Sequence, residues 1–307
     1  GIVEFTRTVA QFAAITNISA ETVAQKFGRI AELADVDYAQ MNNLGSAVAF
    51  AGINAVATEA EILTLAESIA AVSNQAGLLP QEIIGVATSL ASIGIQAEQA
   101  RGVFTRVFAD IDRAVSRNGQ ALQSFANLAG MSAEDFAAAW GEQGASYDVF
   151  RALLGGLGAT EDLTKAFDSL NIVETREINT LTRLAKNLNV VDRAISDATS
   201  SFETGVFLGD AFEKTVDNLD SKIQVLKNNF MALTNELSKS TAGVLINVID
   251  FANDFLNTLK ELAKNPFYQF ATAFGLGLTA IAAASTFAVS GITKLVAQMY
   301  AFRVAAI

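Results

Sequence analysis

Apolar side chains recur at every seventh position of residues 212–262, in two columns that lie four and three positions apart. This spacing puts both columns on one narrow stripe of an α-helix, as at the a and d positions of a coiled coil. We call this stripe the seam, and it consists of Phe212, Val216, Leu219, Ile223, Leu226, Phe230, Leu233, Leu237, Val244 and Phe251. A helix of roughly fifty residues at ~1.5 Å per residue spans on the order of 75 Å. Few globular domains need such a helix, so the seam favours self-association over packing inside an ordinary antiparallel bundle.

The N-terminal part of the chain shows a different pattern, in which helical periodicity is interrupted by single glycines. These glycines are Gly52, Gly77, Gly94 and Gly130. Each can take the left-handed conformation that ends a helix, and the apolar residue after it can fold back on that helix. The pairs Thr58 with Glu61 and Ser132 with Asp135, and the single residue Pro80, are typical of helix starts. The pattern predicts a series of short to medium helices.

A glycine run at Gly155, Gly156 and Gly158 is interpreted as a hinge or turn. No Lys-Ser/Thr follows it, as a phosphate loop would require. Thr160 is predicted to cap a helix that begins near Glu161. We expect these N-terminal helices to form a compact bundle with a boundary near residue 200.

Two further features predict buried faces in this bundle. Residues 103–115 carry apolar side chains at spacings of three and four, with charged residues largely elsewhere on the helix. Trp140 follows Phe136 by four positions and is predicted to lie in the core.

The end of the chain is strongly apolar. Asn265-Pro266 predicts a break, because the residue before a proline is disfavoured in a helix, and no charged residue occurs from Asn265 to Thr293. Roughly 20 apolar residues suffice to cross a bilayer as a helix. Membrane insertion is one interpretation, and a hydrophobic helix pair shielded inside an oligomer is the other. The candidate membrane residues are Phe267, Phe270, Phe274, Leu276, Leu278, Ile281, Phe287, Val289 and Ile292.

Composition supports an all-α fold. Only two prolines occur in 307 residues, and turn clusters are sparse. We expect a multi-helix bundle over residues 1–200, a long heptad-bearing, coiled-coil-like helix over 205–264, and hydrophobic helices over 265–307.

The chain contains no cysteine and no histidine, which excludes disulfides, thiolate nucleophiles, most zinc sites and the usual base of a catalytic triad. Its net charge of −11 and the lack of a Lys/Arg cluster argue against specific nucleic-acid binding. We expect no enzymatic activity, no cofactor and no metal.

Neighbouring acids are interpreted as solvated faces or helix starts, because neighbours on a helix do not face each other. They are Asp110 with Asp112, Glu134 with Asp135, and Glu161 with Asp162. Glu67-Ser68 and the later segment 73–81 resemble the Glu-Ser and Gly-Leu-x-Gln segments of lytic transglycosylases, in which the matching Glu67 would be the general acid. The segment departs from that pattern where Leu79-Pro80-Gln81 replaces a single residue before Gln. A helix, a glycine cap and a second helix explain the same residues, so this enzyme is the alternative reading.

The order of three segments resembles the conserved core region of siphophage tail tape measure proteins. Residues 88–100 contain a Leu-Ala-x-x-Gly-Ile segment, and residues 128–140 contain Ala-Gly-Met-Ser-Ala-Glu. Residues 219–237 read LDSKIQVLKNNFMALTNEL and precede a hydrophobic region, as in the family. The resemblance starts near Gly45 and covers about three quarters of the chain. None of these motifs is catalytic.

The resemblance implies an elongated helical homo-oligomer, often a trimer, in the lumen of a phage tail tube. Such a protein scaffolds the tube to a set length beside tail-tube and tail-tip proteins. It leaves with or ahead of the DNA at infection, when it meets the host membrane. Even a fully helical rod of 307 residues reaches only about 460 Å, so we expect this chain to be a segment of a longer one. A membrane-active helical pore protein of another system is the non-enzymatic alternative.

Overall fold

Regular secondary structure in the described part of the chain is entirely helical. The computed structural model describes residues 2–215 and residue 217. No strand occurs among these residues, which confirms the predicted all-α class for them. The finer predictions of a bundle, a coiled coil and three regions stay predictions.

The α-helices are short to medium in length and are joined by brief connections. Their bounds are α1 (Ile2–Ile15), α2 (Ala20–Leu33), α3 (Met41–Asn54), α4 (Glu59–Gln75), α5 (Pro80–Ser92), α6 (Ala97–Arg117), α7 (Gln120–Ala129), α8 (Ala133–Ala139), α9 (Ser146–Ala159), α10 (Leu163–Ser169), α11 (Thr175–Lys186) and α12 (Leu188–Thr204). A short 3-10 helix, Tyr38–Gln40, lies between α2 and α3. Residues 207–215 are also helical.

The predicted start signals are confirmed for three helices. Thr58 Oγ1 accepts a hydrogen bond from the N–H of Glu61 at 3.3 Å, and the Glu61 carboxylate accepts one from the N–H of Thr58 at 2.9 Å. Pro80 is the first residue of α5. Ser132 Oγ accepts the N–H of Asp135 at the start of α8. These contacts suit the first turn of a helix, where backbone N–H groups have no partner inside the helix.

Three of the four predicted glycine junctions are confirmed. Gly77, Gly94 and Gly130 have φ angles of 88°, 71° and 69°, in the left-handed region that favours glycine. The prediction for Gly52 was wrong, because α3 continues past it. A Cβ on Gly52 would meet the side chain of Glu59. The glycine therefore allows a close approach instead of ending a helix.

The predicted hinge at the glycine run was also wrong, since α9 continues unbroken through it. A Cβ on Gly156 would overlap the backbone oxygen of Leu128 in α7. A Cβ on Gly158 would lie 3.0 Å from the backbone oxygen of Ala185 in α11. These glycines let neighbouring helices pack closely.

The prediction that Thr160 caps the start of the helix after α9 was wrong, because Asp162 is the N-terminal cap of that helix. Thr160 is the C-terminal cap of α9, and the side chain of Asp162 accepts the N–H of Lys165 at the start of α10. Residues 196–204, at the expected boundary of the first region, lie inside α12, which ends at Gly205 with φ of 63°.

The centre of the hydrophobic core lies around α5. This helix packs against α4 and α12, and α12 also packs against α3. Every residue of α5 from Glu82 to Leu90 is buried. At the crossing with α12, a Cβ on Gly85 would lie 2.7 Å from the Cα of Ile195. Because α5 is covered nearly all round, its sequence lacks a charged outer face.

The amphipathic pattern of α6 is confirmed by its burial. Its apolar face contributes Phe104 and Phe108 to an aromatic cluster with Phe150 of α9, where the Phe108 and Phe150 ring centroids are 5.4 Å apart. Trp140 is 7% exposed, as predicted for a core residue. Its Nε1 donates a hydrogen bond to Asp112 at 2.6 Å.

Candidate functional site

The helix that carries the first seam position begins at residue 207, directly after α12. Phe212, the seam position within the described residues, is half-buried on this helix. Leu208 is fully buried, and Phe207 packs edge-on against Phe50 of α3, with ring centroids 5.1 Å apart. Apolar contacts to α3 therefore fix the start of the seam.

Polar side chains of α3 also hold this junction. Asn43 Nδ2 donates to a backbone oxygen in the last turn of α12 at 2.6 Å, and Asn42 Nδ2 donates to the backbone oxygen of Gly205. Ser46 Oγ accepts the N–H of Leu208 at 3.1 Å. The last carbonyls and first N–H groups of helices have no partner within their own helix. One face of α3 thus satisfies the end of one helix and the start of the next.

Small residues make this contact close. A Cβ on the buried Gly45 would lie 2.8 Å from Leu208 Cδ2 and 2.9 Å from Thr8 Cγ2. Gly205, in its left-handed conformation, ends α12 just before the new helix. We name this site the α3 anchor, and it consists of Asn42, Asn43, Gly45 and Ser46.

The α3 anchor was not predicted from the sequence. The sequence does contain a signal, because an Asn-Asn pair and a Gly-Ser pair lie at residues 42–46, near the start of a largely apolar helix. The hydrogen-bond partners, however, lie 159 to 163 residues further along the chain. Local pattern cannot identify partners at that separation.

Most of the predicted site residues lie outside the described residues. They are the seam positions Val216, Leu219, Ile223, Leu226, Phe230, Leu233, Leu237, Val244 and Phe251, and the candidate membrane segment from Phe267 to Ile292. Their roles stay predictions.

Glu67, the general acid of the enzymatic alternative, joins α4 to α2. Its carboxylate pairs with Lys26 Nζ at 2.5 Å and with Arg29 Nη1 at 2.7 Å. Partial burial raises the pKa of Glu67, but the hydrogen bonds and charges of Arg29 and Lys26 outweigh burial and hold the pKa below its usual range. A general acid that works near neutral pH needs a raised pKa. The geometry therefore favours a structural role for Glu67.

Several neighbouring acids have structural partners. Asp110 pairs with Arg113 at 2.6 Å within α6. Asp112 accepts the indole N–H of Trp140, and Asp162 caps α10. These contacts fit the interpretation of the acids as solvated faces and helix starts.

Ionisable groups also gather at the N-terminal ends of α5 and α9. Glu82 is 8% exposed, and its carboxylate accepts the N–H of Leu79 at 2.7 Å. Burial raises the pKa of Glu82, the hydrogen bond from Leu79 lowers it in part, and the charge of Asp148 raises it further. Burial, and next the charge of Asp192, raise the pKa of the Tyr147 hydroxyl. Ionisation of Glu82 and of Tyr147 is therefore disfavoured in the folded chain.

No group of three or more Asp, Glu, His or Cys side chains within residues 2–215 is placed to hold a metal ion. None of the helices described there is both long and apolar enough to cross a bilayer.

Comparison of the chain with protein-family models, with curated proteins and with solved structures finds no match.

Proposed function

We propose that the chain is the core region of a phage tail tape measure protein, a helical homo-oligomer that occupies the lumen of the tail tube. In this role it sets the length of the tube during assembly and is released at infection to assist the passage of DNA across the host envelope. Its partners are further copies of itself, the tail-tube and tail-tip proteins and, during ejection, the host membrane.

The order of elements along the chain carries this proposal. A packed all-α region comes first, and the 207–215 helix that follows it carries Phe212 and is held by the α3 anchor. The family-like segment 219–237 continues the seam pattern beyond it. A seam that starts from a fixed point on a folded region is suited to joining copies in register, because every copy presents its apolar stripe from the same origin.

The direct test is the position of the chain in an intact particle. Mass spectrometry of separated heads and tails should find the chain in tails only. Particles triggered to eject their DNA should have lost it from the tail, while the tail-tube protein, as an internal control, should stay. Recovery of the chain from heads, or its full retention in emptied tails, would contradict the proposal.

The membrane step can be tested separately at Ala282, which lies in the uncharged C-terminal run. Ala282→Asp should cost roughly 2.5 to 3.5 kcal/mol per chain at the centre of a bilayer. The mutant particles should assemble to normal length and deliver DNA poorly, whereas Ala282→Val particles should infect normally. If Ala282→Asp particles also infect normally, the run is buried in the tail and has no membrane role.

Two other functions make different demands on the chain. A lytic transglycosylase would use Glu67 as its acid, and the ion pairs of that residue count against such use. Cell-wall digestion that is lost in Glu67→Gln would favour the enzyme. A membrane-active pore protein rests on the apolar run at 267–292 alone, and liposome leakage caused by the isolated chain would favour it.

A further inference from the structure

A cleft of about 390 Å³ lies between the C-terminal ends of α3 and α5 and the N-terminal half of α12. Its volume is within the range of ~300 to 1,000 Å³ that is typical of binding sites. The polar part of its lining comes mainly from α11 and α12, and the apolar part includes the connection after α3. The cleft is separate from the α3 anchor, which lies at the other end of α3.

The polar wall of the cleft carries two arginines. Arg193 is exposed and forms no hydrogen bond or ion pair with any residue that the structure describes. Arg183 donates to the backbone oxygen of Ile93, which fixes its guanidinium against the end of α5. A guanidinium offers donors in a planar fork that binds a carboxylate at two points. The neighbouring Asp192 already receives this kind of contact from Arg151, with both N–O distances at 2.7 Å.

The end of α3 and the residues after it give the cleft an exposed aliphatic side chain beside the polar Asn54. Val56 lines the cleft and is 86% exposed, and Ile53, three residues before it, is 64% exposed. Val190 and the buried Ala194 also line the cleft. Exposed aliphatic side chains beside an arginine are typical of protein interfaces, where arginine is enriched and lysine and acids are depleted.

A third charge limits what the cleft can accept. Asp197 lies four residues after Arg193, so both point from the same side of α12. Its carboxylate repels a second acid at that end of the cleft and can accept hydrogen bonds from backbone N–H groups. The cleft thus matches a single carboxylate flanked by uncharged, apolar residues, and a run of acids does not fit it.

We propose that this cleft docks a segment of a partner polypeptide in which one Asp or Glu is flanked by aliphatic residues. The acid binds Arg193 and the aliphatic side chains cover Val56 and Ile53. Charge complementarity argues for this occupant, because the cleft places cations on a chain whose net charge is −11. A free small carboxylate would fill the arginine end and leave Val56 and Ile53 exposed.

The test selects binding sequences from a displayed library of short random peptides, with the full chain as bait at physiological salt. Enriched peptides should contain one acid beside an aliphatic residue. Synthetic copies should bind Arg193→Gln about tenfold or more weakly than the native chain, as expected from the loss of a charge-assisted contact. Val56→Asp should weaken binding similarly. Arg101→Gln, which removes an exposed cation of α6 outside the cleft, should bind like the native chain.

Three outcomes would overturn the proposal. One is that selection enriches no peptide above the level found with Arg193→Gln as bait. Another is the enrichment of basic or multiply acidic sequences. The third is complete competition by glutarate, which would make the cleft a site for small carboxylates. Both substituted side chains are exposed, so the variants should fold normally. Circular dichroism of the variants checks that weaker binding is not caused by misfolding.

Discussion

Two glutamates in neighbouring helices show how the surroundings of one side chain determine the sign of its effect on stability. Glu67 lies between two cations that lower its pKa, whereas Glu82 is buried with Asp148 nearby and has a raised pKa. Tyr147, Arg151 and Asp192 lie around the same acidic site. A group with a raised pKa in the folded state stabilises the fold at low pH, and a group with a lowered pKa stabilises it at high pH.

Glu82→Gln should therefore change the pH dependence of stability in one direction. Gln at this position can still accept the N–H of Leu79, so the cap of α5 is kept. The native chain should equal the variant below the usual glutamate pKa of 4.5 and lose stability relative to it as pH rises through the raised pKa. Urea unfolding at a series of pH values measures this difference.

Glu67→Gln is the matched control, and its effect should have the opposite sign. The native chain should be the more stable one at neutral pH, by about 1 kcal/mol for a partly exposed ion pair. This advantage should disappear as pH falls through the lowered pKa. If the stability difference from the native chain changes with pH in the same direction for both variants, the pKa values of Glu67 and Glu82 are not shifted in opposite directions.

At the scale of helices, glycines determine where two helices can pack closely. Gly156 of α9 faces the backbone of α7, and Gly85 of α5 faces that of α12. Gly155 is next to Gly156, yet a Cβ there would meet only Leu188 Cδ2, at an ordinary 3.9 Å. Two adjacent glycines in one helix thus have different reasons to be glycine.

Gly156→Ala and Gly155→Ala should have opposite effects on stability. The first should push α9 away from α7 and cost about 1–3 kcal/mol or more, as overpacking does. The second should add about 0.5–1 kcal/mol, because alanine is a better helix former than glycine. Thermal or urea unfolding of both variants measures the two effects. Similar changes in both would mean that the α7–α9 contact is looser than described.

These helices also show which parts of the fold the sequence can predict. The caps at Thr58, Pro80 and Ser132 were predicted because their cause lies within a few residues of chain. Gly52 and the run at residues 155–158 were mistaken for chain breaks, because their cause is a neighbouring side chain or helix. For the same reason the α3 anchor was not predicted, because its hydrogen-bond partners lie far along the chain.

Leu208→Ala should release the 207–215 helix from α3 without unfolding the other helices. Truncation of a fully buried leucine to alanine costs about 2–5 kcal/mol of stability. Here the loss weakens the contact of the 207–215 helix with α3, at the end of the described helices. Trypsin should then cut after Lys214 much faster, because cleavage requires local unfolding. Val206→Ala, at a position 58% exposed, is the control and should leave the rate unchanged. Equal rates for both variants would argue against the anchor.

At the scale of the whole molecule, the seam is proposed to join copies of the chain. The acidic charge of −11 opposes association of chains, so a stable oligomer needs a continuous apolar stripe. The seam is the segment of the sequence that offers one.

The full chain should therefore sediment as an oligomer, and the double variant Leu226→Asp/Leu233→Asp as a monomer. Two charges at seam positions place unpaired carboxylates in every helix contact. Val173→Asp, which adds one acid at an exposed position outside the seam and the cleft, controls for charge alone and should stay oligomeric. A native chain that is monomeric at high concentration would rule out self-association through the seam.

The contacts of α12 with α3 and α5 also determine when the chain can fold during its synthesis. The apolar faces of α3 and α5 are complete once residue 92 has left the ribosome, but the helix that covers them ends at residue 204. Until then a nascent chain exposes those faces, and exposed apolar surface of this kind is prone to aggregation. Chains that stop anywhere before Leu188 should accordingly aggregate instead of accumulating as smaller folded proteins.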